Sequence, residues 1–398
     1  MAQESGAKVL RFFNTRKLLG REANKFTRRK MAEAFAELSS RGTEVFCVVS
    51  GLAEKMETLA EFKNPDFQLK TVLLPGFYDE ETGAGLARRI YKVLVLNRLL
   101  SLVSLYYLLN GSRDSINYIW CDPLLGVLLY SLVSREDFIL ELDDHMFGDS
   151  RFADFIYLKA ASRARRVTTV STATKEDLVA RGIDSEKIRV VPNAVDLEEF
   201  DIEPGKSQLR QRLGMPEDCF IVTYTGHLYP EKGVDTLIEA VQHLPVENLA
   251  LFIVGGREED VEGYLEMVED RNLDGKVNLQ GYVPREEIPM HQKASDLLVL
   301  PNSGRDRKSR DYTSPVKLRE YMASGTPVAV SDLPSIRQNF SEEELFFFKP
   351  DNPRELADTV EYVKENGEEA EERAKNARKR AEGYTWKDRA SEILDGLV

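Results

Sequence analysis

Short apolar runs alternate along this chain with stretches whose apolar residues recur every three or four positions. The runs predict buried strands and the recurring stretches predict helices. In the first half, strands are expected at Val9–Asn14, Glu44–Ser50, Gln68–Leu74, Tyr118–Cys121, Phe138–Leu142, Arg166–Val170 and Ile188–Val191. Helices are expected between them at Asn24–Ser40, 90–109, Leu125–Val133, Phe152–Ala161 and Ala173–Arg181. Thr27, Met31, Ala34, Phe35 and Leu38 form the inward stripe of the first helix, and Gly42 stops it. The polar stretch Asp196–Glu217, with Pro204-Gly205 inside it, breaks the rhythm and reads as a linker. The alternation then restarts, with strands expected at Cys219–Tyr224, Leu249–Val254, Val277–Leu279, Asp296–Leu300 and Val328–Val330. Helices are expected at Asp235–His243 and Val261–Asp270. The tail Pro353–Ala381 reads as a strongly charged, solvated helical face. Beyond it, Trp386, Ala390, Ile393 and Leu394 share one helical spacing. Strands alternating with helices imply an α/β protein with doubly wound parallel sheets.

The length of 398 residues allows two cores, placed at 1–195 and 196–383 on either side of the break in rhythm. A net charge of −13 argues against a nucleic-acid partner, which usually meets a basic face. Cys47, Cys121 and Cys219 fall in apolar runs, which suggests a reducing compartment without disulfides. Four histidines with no Cys/His cluster make a metal site unexpected. The start MAQESGAKVLRFF lacks the regions of a signal peptide, so a cytoplasmic location is expected. The segment 90–110 is the most apolar, but Lys92, Asn97 and Arg98 interrupt it. A buried or amphipathic helix is expected there, with peripheral contact at the inner face of a membrane left open.

The stretch Tyr312–Ser331, YTSPVKLREYMASGTPVAVS, carries the first candidate chemistry. Ser314 is expected to cap a helix with Pro315 at its first position. Leu318, Tyr321 and Met322 form its apolar face and Gly325 closes it. The amides of Val316 and Lys317 then point out of a positive helix end, and Lys317 adds a charge, which suits a phosphate. Glu320, one turn deeper, can accept from sugar hydroxyls. On this stretch alone, an ordinary surface helix would look the same.

Ligands of open parallel sheets bind beyond the carboxyl ends of the strands. Four unusual loops follow strands of the second half there: Gly226-His227-Leu228-Tyr229-Pro230-Glu231-Lys232-Gly233, Gly255-Gly256-Arg257, Gly281-Tyr282-Val283-Pro284, and Asn302–Lys308 with Arg305 and Arg307. Glycines admit a ligand close to the backbone, and basic residues suit a diphosphate.

These pieces resemble the donor domain of the GT-B glycosyltransferases, in particular retaining family four (glycosyltransferase group 1). The resemblance rests on VPNAVDLEEF, YTGHLYPEKGVDTLIEA, LFIVGG, LQGYVPREEI and SPVKLREYMASGTPVAVSD, in that order, over about half the chain. It implies two Rossmann-like domains facing a central cleft, with the segment 384–398 packing back on the first. It implies that Lys232 grips the donor diphosphate and that Glu320 holds the ribose. By the same resemblance, Ser314, Pro315, Val316 and Lys317 take the distal phosphate, and Tyr282 and Val283 lie against the base. Gly226 belongs to the donor loop. Two positions depart from the family. Tyr312 stands where a first motif glutamate meets the donor sugar, and His227 stands for an arginine; the basic loop Arg305–Arg310 offers replacement charge.

In the first half the resemblance is architectural. Asp143 occupies the place where the family often has a histidine facing the reaction centre, followed by Asp144 and His145. This cluster could position an acceptor hydroxyl and take its proton, or Asp143 and Asp144 could merely cap the turn. Gly20 and Arg21 match the family's first loop only in position. The implied activity is retaining, metal-independent transfer of a glycosyl group from a nucleotide sugar to a glycan or lipid-linked acceptor, as in polysaccharide biosynthesis, with no cofactor. A nucleotide-sugar epimerase and a non-catalytic nucleotide-sugar-binding subunit are the alternatives.

Overall fold

The computed structural model describes residues 9–14, 23–39, 43–49, 67–73, 115–120, 124–133, 137–143, 147–148 and 150–397 without 245–247, together with a few positions between 102 and 110. The chain divides into two compact units. One comprises Met1–Pro192 with Trp386–Val398, the other Asn193–Thr385.

The first unit holds strands β1 (Val9–Asn14), β2 (Thr43–Val49), β3 (Phe67–Leu73), β4 (Ser115–Trp120), β5 (Phe138–Glu141), β6 (Arg166–Thr169) and β7 (Ile188–Val190). They form one sheet in the order β3-β2-β1-β4-β5-β6-β7, and every pairing is parallel. All residues of β4 and β5 are buried, because helices cover both faces of such a sheet. Leu124–Val133 and Arg151–Arg163 are among those helices, and the second starts where the Ser150 side chain accepts from the Ala153 amide. Ile119, Tyr130, Phe138, Leu140, Ala160 and Val167 belong to the core between them. The helix Trp386–Leu394 packs on Ala23–Leu38 within this unit.

The second unit holds β8 (Phe220–Thr225), β9 (Leu249–Val254), β10 (Val277–Gly281), β11 (Leu297–Leu300), β12 (Val328–Ser331) and β13 (Phe346–Phe348). Their order, β10-β9-β8-β11-β12-β13, is again all parallel. The order reverses between β8 and β11, where Leu297 and Leu298 pair with Val222 and Thr223. The loops leaving these two strands therefore diverge around a crevice, the usual ligand position in this topology.

Three expectations need correction. The stretch 196–217 is not a bare linker. It holds a 3-10 turn at Leu197–Phe200 and a helix at Lys206–Leu213, anchored by buried Phe200 and Leu209. The exit turn 193–195 belongs to the second unit, since the Val195 amide donates to the Tyr384 carbonyl. The charged tail is two helices, Pro353–Glu365 and Gly367–Ala381, each with one face packed. Ala370, Ala374, Ala377 and Ala381 form the inner stripe of the latter, a helical period made only of small residues. No helix among the described residues is long and apolar enough to cross a membrane. The helix expected at 90–109 falls mostly outside the described residues.

Candidate active site

The crevice is built from the end of β8 outward. Gly226, with φ of 136°, follows the strand, and a Cβ on it would sit 2.1 Å from Lys317 Nζ. Gly233, with φ of 67°, closes the loop, and a Cβ there would sit 1.9 Å from the Pro301 carbonyl oxygen. Both positions require glycine because backbone or side chain passes directly over them. Between them, Pro230–Lys232 forms a 3-10 turn. The Ser303 amide donates to the Glu231 carbonyl at 3.0 Å, so the loop after β11 is fastened to the turn that carries Lys232. Lys232 is half-buried, with Glu231 3.9 Å away.

The phosphate-ready helix runs over Val316–Ser324. Leu318, Tyr321 and Met322 are buried as expected, and Gly325 closes it with φ of 73°. The cap differs from expectation. Pro315 is the capping residue and makes no side-chain capping bond. The Ser314 hydroxyl instead accepts from the Asn193 amide at 3.2 Å, and the Asn193 side chain donates to the Ser314 carbonyl at 2.8 Å. Ser314 thus fastens the exit turn rather than the helix. Tyr321 Oη accepts from the Thr225 amide at 2.8 Å and pins the helix against the end of β8.

Lys317 lies inside this assembly. Its Nζ donates to Tyr224 Oη at 2.7 Å and sits 4.0 Å from that ring's centroid. Tyr224 in turn donates to the His227 carbonyl at 2.5 Å, and burial holds its phenol well above the ordinary value. Burial, and then the neighbouring Lys232, push the Lys317 ammonium well below its ordinary pKa, with Glu320 opposing. Among the described residues no carboxylate lies within salt-bridge distance of Lys317. Two lysines at a helix N-terminus, with only Glu231 at 3.9 Å from Lys232 to oppose them among the described ion pairs, make a seat for an anion.

Glu320 is nearly buried, and its Oε1 accepts from Arg285 at 3.1 Å. Tyr282 is exposed, and Val283 packs on the cluster that includes Leu209 and Phe252. His227 is exposed and stacks on Tyr229, with centroids 5.0 Å apart. Tyr312 is buried in a π-helical turn, where its Oη accepts from Arg307 at 2.8 Å. The basic loop is partly neutralised within itself, since Arg310 pairs with Asp311 and Arg305 lies 3.7 Å from Asp351. Lys317 supplies a positive group beside Lys232.

In the first unit, Asp143 is half-buried and its Oδ2 accepts from Trp120 Nε1 at 2.5 Å. Glu141, two residues earlier, is fully buried and accepts from Arg389, Tyr118 and Thr168. Gly20, Arg21, Asp144 and His145 lie outside the described residues. Sequence reasoning missed Arg285, Tyr224 and Asn193. Only the period of β8 places Tyr224 on the same strand as the Gly226 loop, and nothing local marks the other two.

A profile of the family described as "Glycosyl transferases group 1" matches residues 205–380, and one described as "Glycosyltransferase Family 4" matches residues 144–199. Residues 205–380 are thus those of a group 1 glycosyltransferase domain. It is 31% identical over 255 residues to the UDP-Gal:alpha-D-GlcNAc-diphosphoundecaprenol alpha-1,3-galactosyltransferase of Escherichia coli, covering 61% of this chain and 64% of that one. It is 25% identical over 252 residues to the D-inositol 3-phosphate glycosyltransferase of Kineococcus radiotolerans, covering 58% and 56%. The chain thus matches about three-fifths of the length of these curated relatives. The structure of Anabaena HepE in complex with UDP superposes with a TM-score of 0.72 at 18% identity, covering 98% of this chain and 99% of that one. That likeness shows the α/β, two-domain GT-B fold of this chain.

Proposed function

We propose that this protein moves a glycosyl group from a nucleoside-diphosphate sugar to a hydroxyl of a glycan or lipid-linked acceptor, with retention of anomeric configuration. The observation that carries this reading is the convergence of Lys232 and Lys317 at the open end of the Val316–Ser324 helix, with Glu320 one turn deeper. Negative charge builds on the departing diphosphate in the transition state. Donors already aimed at that position need no reorganisation as the charge forms. Here the two ammonium groups and the amides of Val316 and Lys317 fill that role, without a metal. Glu320 takes the ribose hydroxyls, and Tyr282 and Val283 border the base. Pro315 sets the start of the phosphate-binding helix, Ser314 offers its backbone beside it, and Gly226 lets the ligand approach the strand end. His227 adds a donor at the mouth, and Tyr312 stands near the sugar. Asp143 is the candidate to accept the acceptor's proton. Tyr118, Glu141 and Arg389 serve the fold.

The test is activity of Lys232→Ala and Glu320→Ala against a panel of nucleotide sugars with glycan and lipid-linked acceptors. Each variant is expected to lose most of the activity with its melting temperature unchanged. Turnover at the parent rate in both would overturn the site assignment. Conversion of one nucleotide sugar to another without acceptor would replace transfer by epimerisation.

A further inference from the structure

Arg285 follows Pro284 in the loop after β10, three residues beyond Tyr282. A single nitrogen, Nη2, donates to Glu320 Oε1 at 3.1 Å and to Glu199 Oε2 at 2.9 Å. Three segments distant in sequence therefore meet at one guanidinium: the 3-10 turn Leu197–Phe200, the loop after β10 and the Val316–Ser324 helix. Arg285 is half-buried, so solvent screens these contacts only in part. Although burial alone would push its guanidinium down, the two carboxylates outweigh it and hold it above the ordinary value.

The two oxygens of Glu320 are unequal. Oε1 is taken by Arg285, while among the described residues Oε2 accepts no hydrogen bond. A carboxylate fixed through one oxygen presents the other in a set direction, which is how a ligand group is preorganised. Glu199 holds the guanidinium from the other side and stops it from swinging to take both oxygens of Glu320.

We propose that Arg285 is a positioning residue for the ribose. By holding Oε1 it aims Oε2 at the ribose hydroxyls, and because it stands on the loop that borders the base, it sets base and ribose contacts as one unit. This rests on the donor-site reading given above. A lysine carries its charge on a more flexible stem and would hold the two carboxylates less firmly.

The experiment measures binding of UDP, GDP and ADP, and then compares the best binder with its 2′,3′-dideoxy form. In the parent, the ribose hydroxyls on an oriented carboxylate should strengthen binding roughly tenfold or more. In Arg285→Met that ratio should fall toward one, while affinity for the dideoxy form and the melting temperature stay at parent values. Arg285→Lys should restore part of the ratio. Glu320→Gln should lower the ratio too, and adding Arg285→Met to it should lower it no further. A purely structural role for Arg285 would weaken both nucleotides alike and leave the ratio intact, which overturns the proposal. A parent ratio near one also overturns it while leaving a diphosphate site in place. Failure of the parent to bind any of the three nucleotides would instead overturn the donor-site reading itself, and this proposal with it.

Discussion

Arg389 donates to Glu141 across 2.7 Å, and both side chains are almost wholly buried. Burial alone would push the Glu141 carboxyl up, but Arg389, with hydrogen bonds from Thr168 and Tyr118 among others, brings it below the ordinary value. Removing one partner leaves the other charge buried without compensation. Arg389→Met is therefore expected to lower the unfolding free energy by about 3–5 kcal/mol, whereas Arg389→Met with Glu141→Gln should recover part of it, because the amide removes the charge and can still accept from Tyr118 and Thr168. Urea unfolding of the three proteins checks this.

Acid should weaken the second unit through His291. This residue is buried, its Nδ1 has no partner among the described residues, and burial pulls its pKa from 6.5 down to about 4. The folded state thus keeps it neutral where the unfolded state takes a proton. Stability is full above pH 6.5, falls as the pH drops toward 4, and changes no further through this group below that. The loss is about 3 kcal/mol, at about 1.4 kcal/mol per pH unit. His291→Gln should flatten this limb of the stability–pH curve, as followed by urea unfolding between pH 4 and 7.

Ligand binding should draw in a proton at Lys317. Burial and the neighbouring Lys232 hold its ammonium below the ordinary pKa, and a bound diphosphate would raise it by supplying opposite charge. Affinity for UDP should therefore fall as the pH rises between those two values. Calorimetry in two buffers of different ionisation enthalpy should show proton uptake in the parent that is missing in Lys317→Met.

The two glycines of the β8 loop should fail in different ways. At Gly233 an added Cβ meets the Pro301 carbonyl, which is backbone and cannot step aside. At Gly226 it meets the end of the Lys317 side chain, which can. Gly233→Ala should lower the melting temperature strongly. Gly226→Ala should lower it less and lose more affinity for UDP, since the displaced lysine leaves the site. Thermal melts and nucleotide titration of both variants separate the two effects.

Much of the fold was legible because strands buried on both faces read as continuous apolar runs, as in β5 and β11. The donor side was legible because glycine, proline and lysine stand at the ends of those runs. What escaped has no local signature. The partner of Ser314 is Asn193, 121 positions away, so a serine before a helix looked like its cap. Arg285 sits in a run of charges that does not reveal its ties to Glu199 and Glu320. Phe346–Phe348 is too short to separate from a loop by pattern, yet it closes one edge of the second sheet. The alanine stripe of the tail was hidden by the charges on its outer face.

The first unit is interrupted by the second and completed by the helix Trp386–Leu394. Glu141 and its guanidinium partner are separated by 248 positions. At ribosomal speed that interval is roughly 10–50 s, during which the carboxylate has been made and Arg389 has not. The second unit is one uninterrupted segment and can close within that time. The inner unit is thus expected to fold first and the outer one last, with residue 389 as the piece that ends the wait.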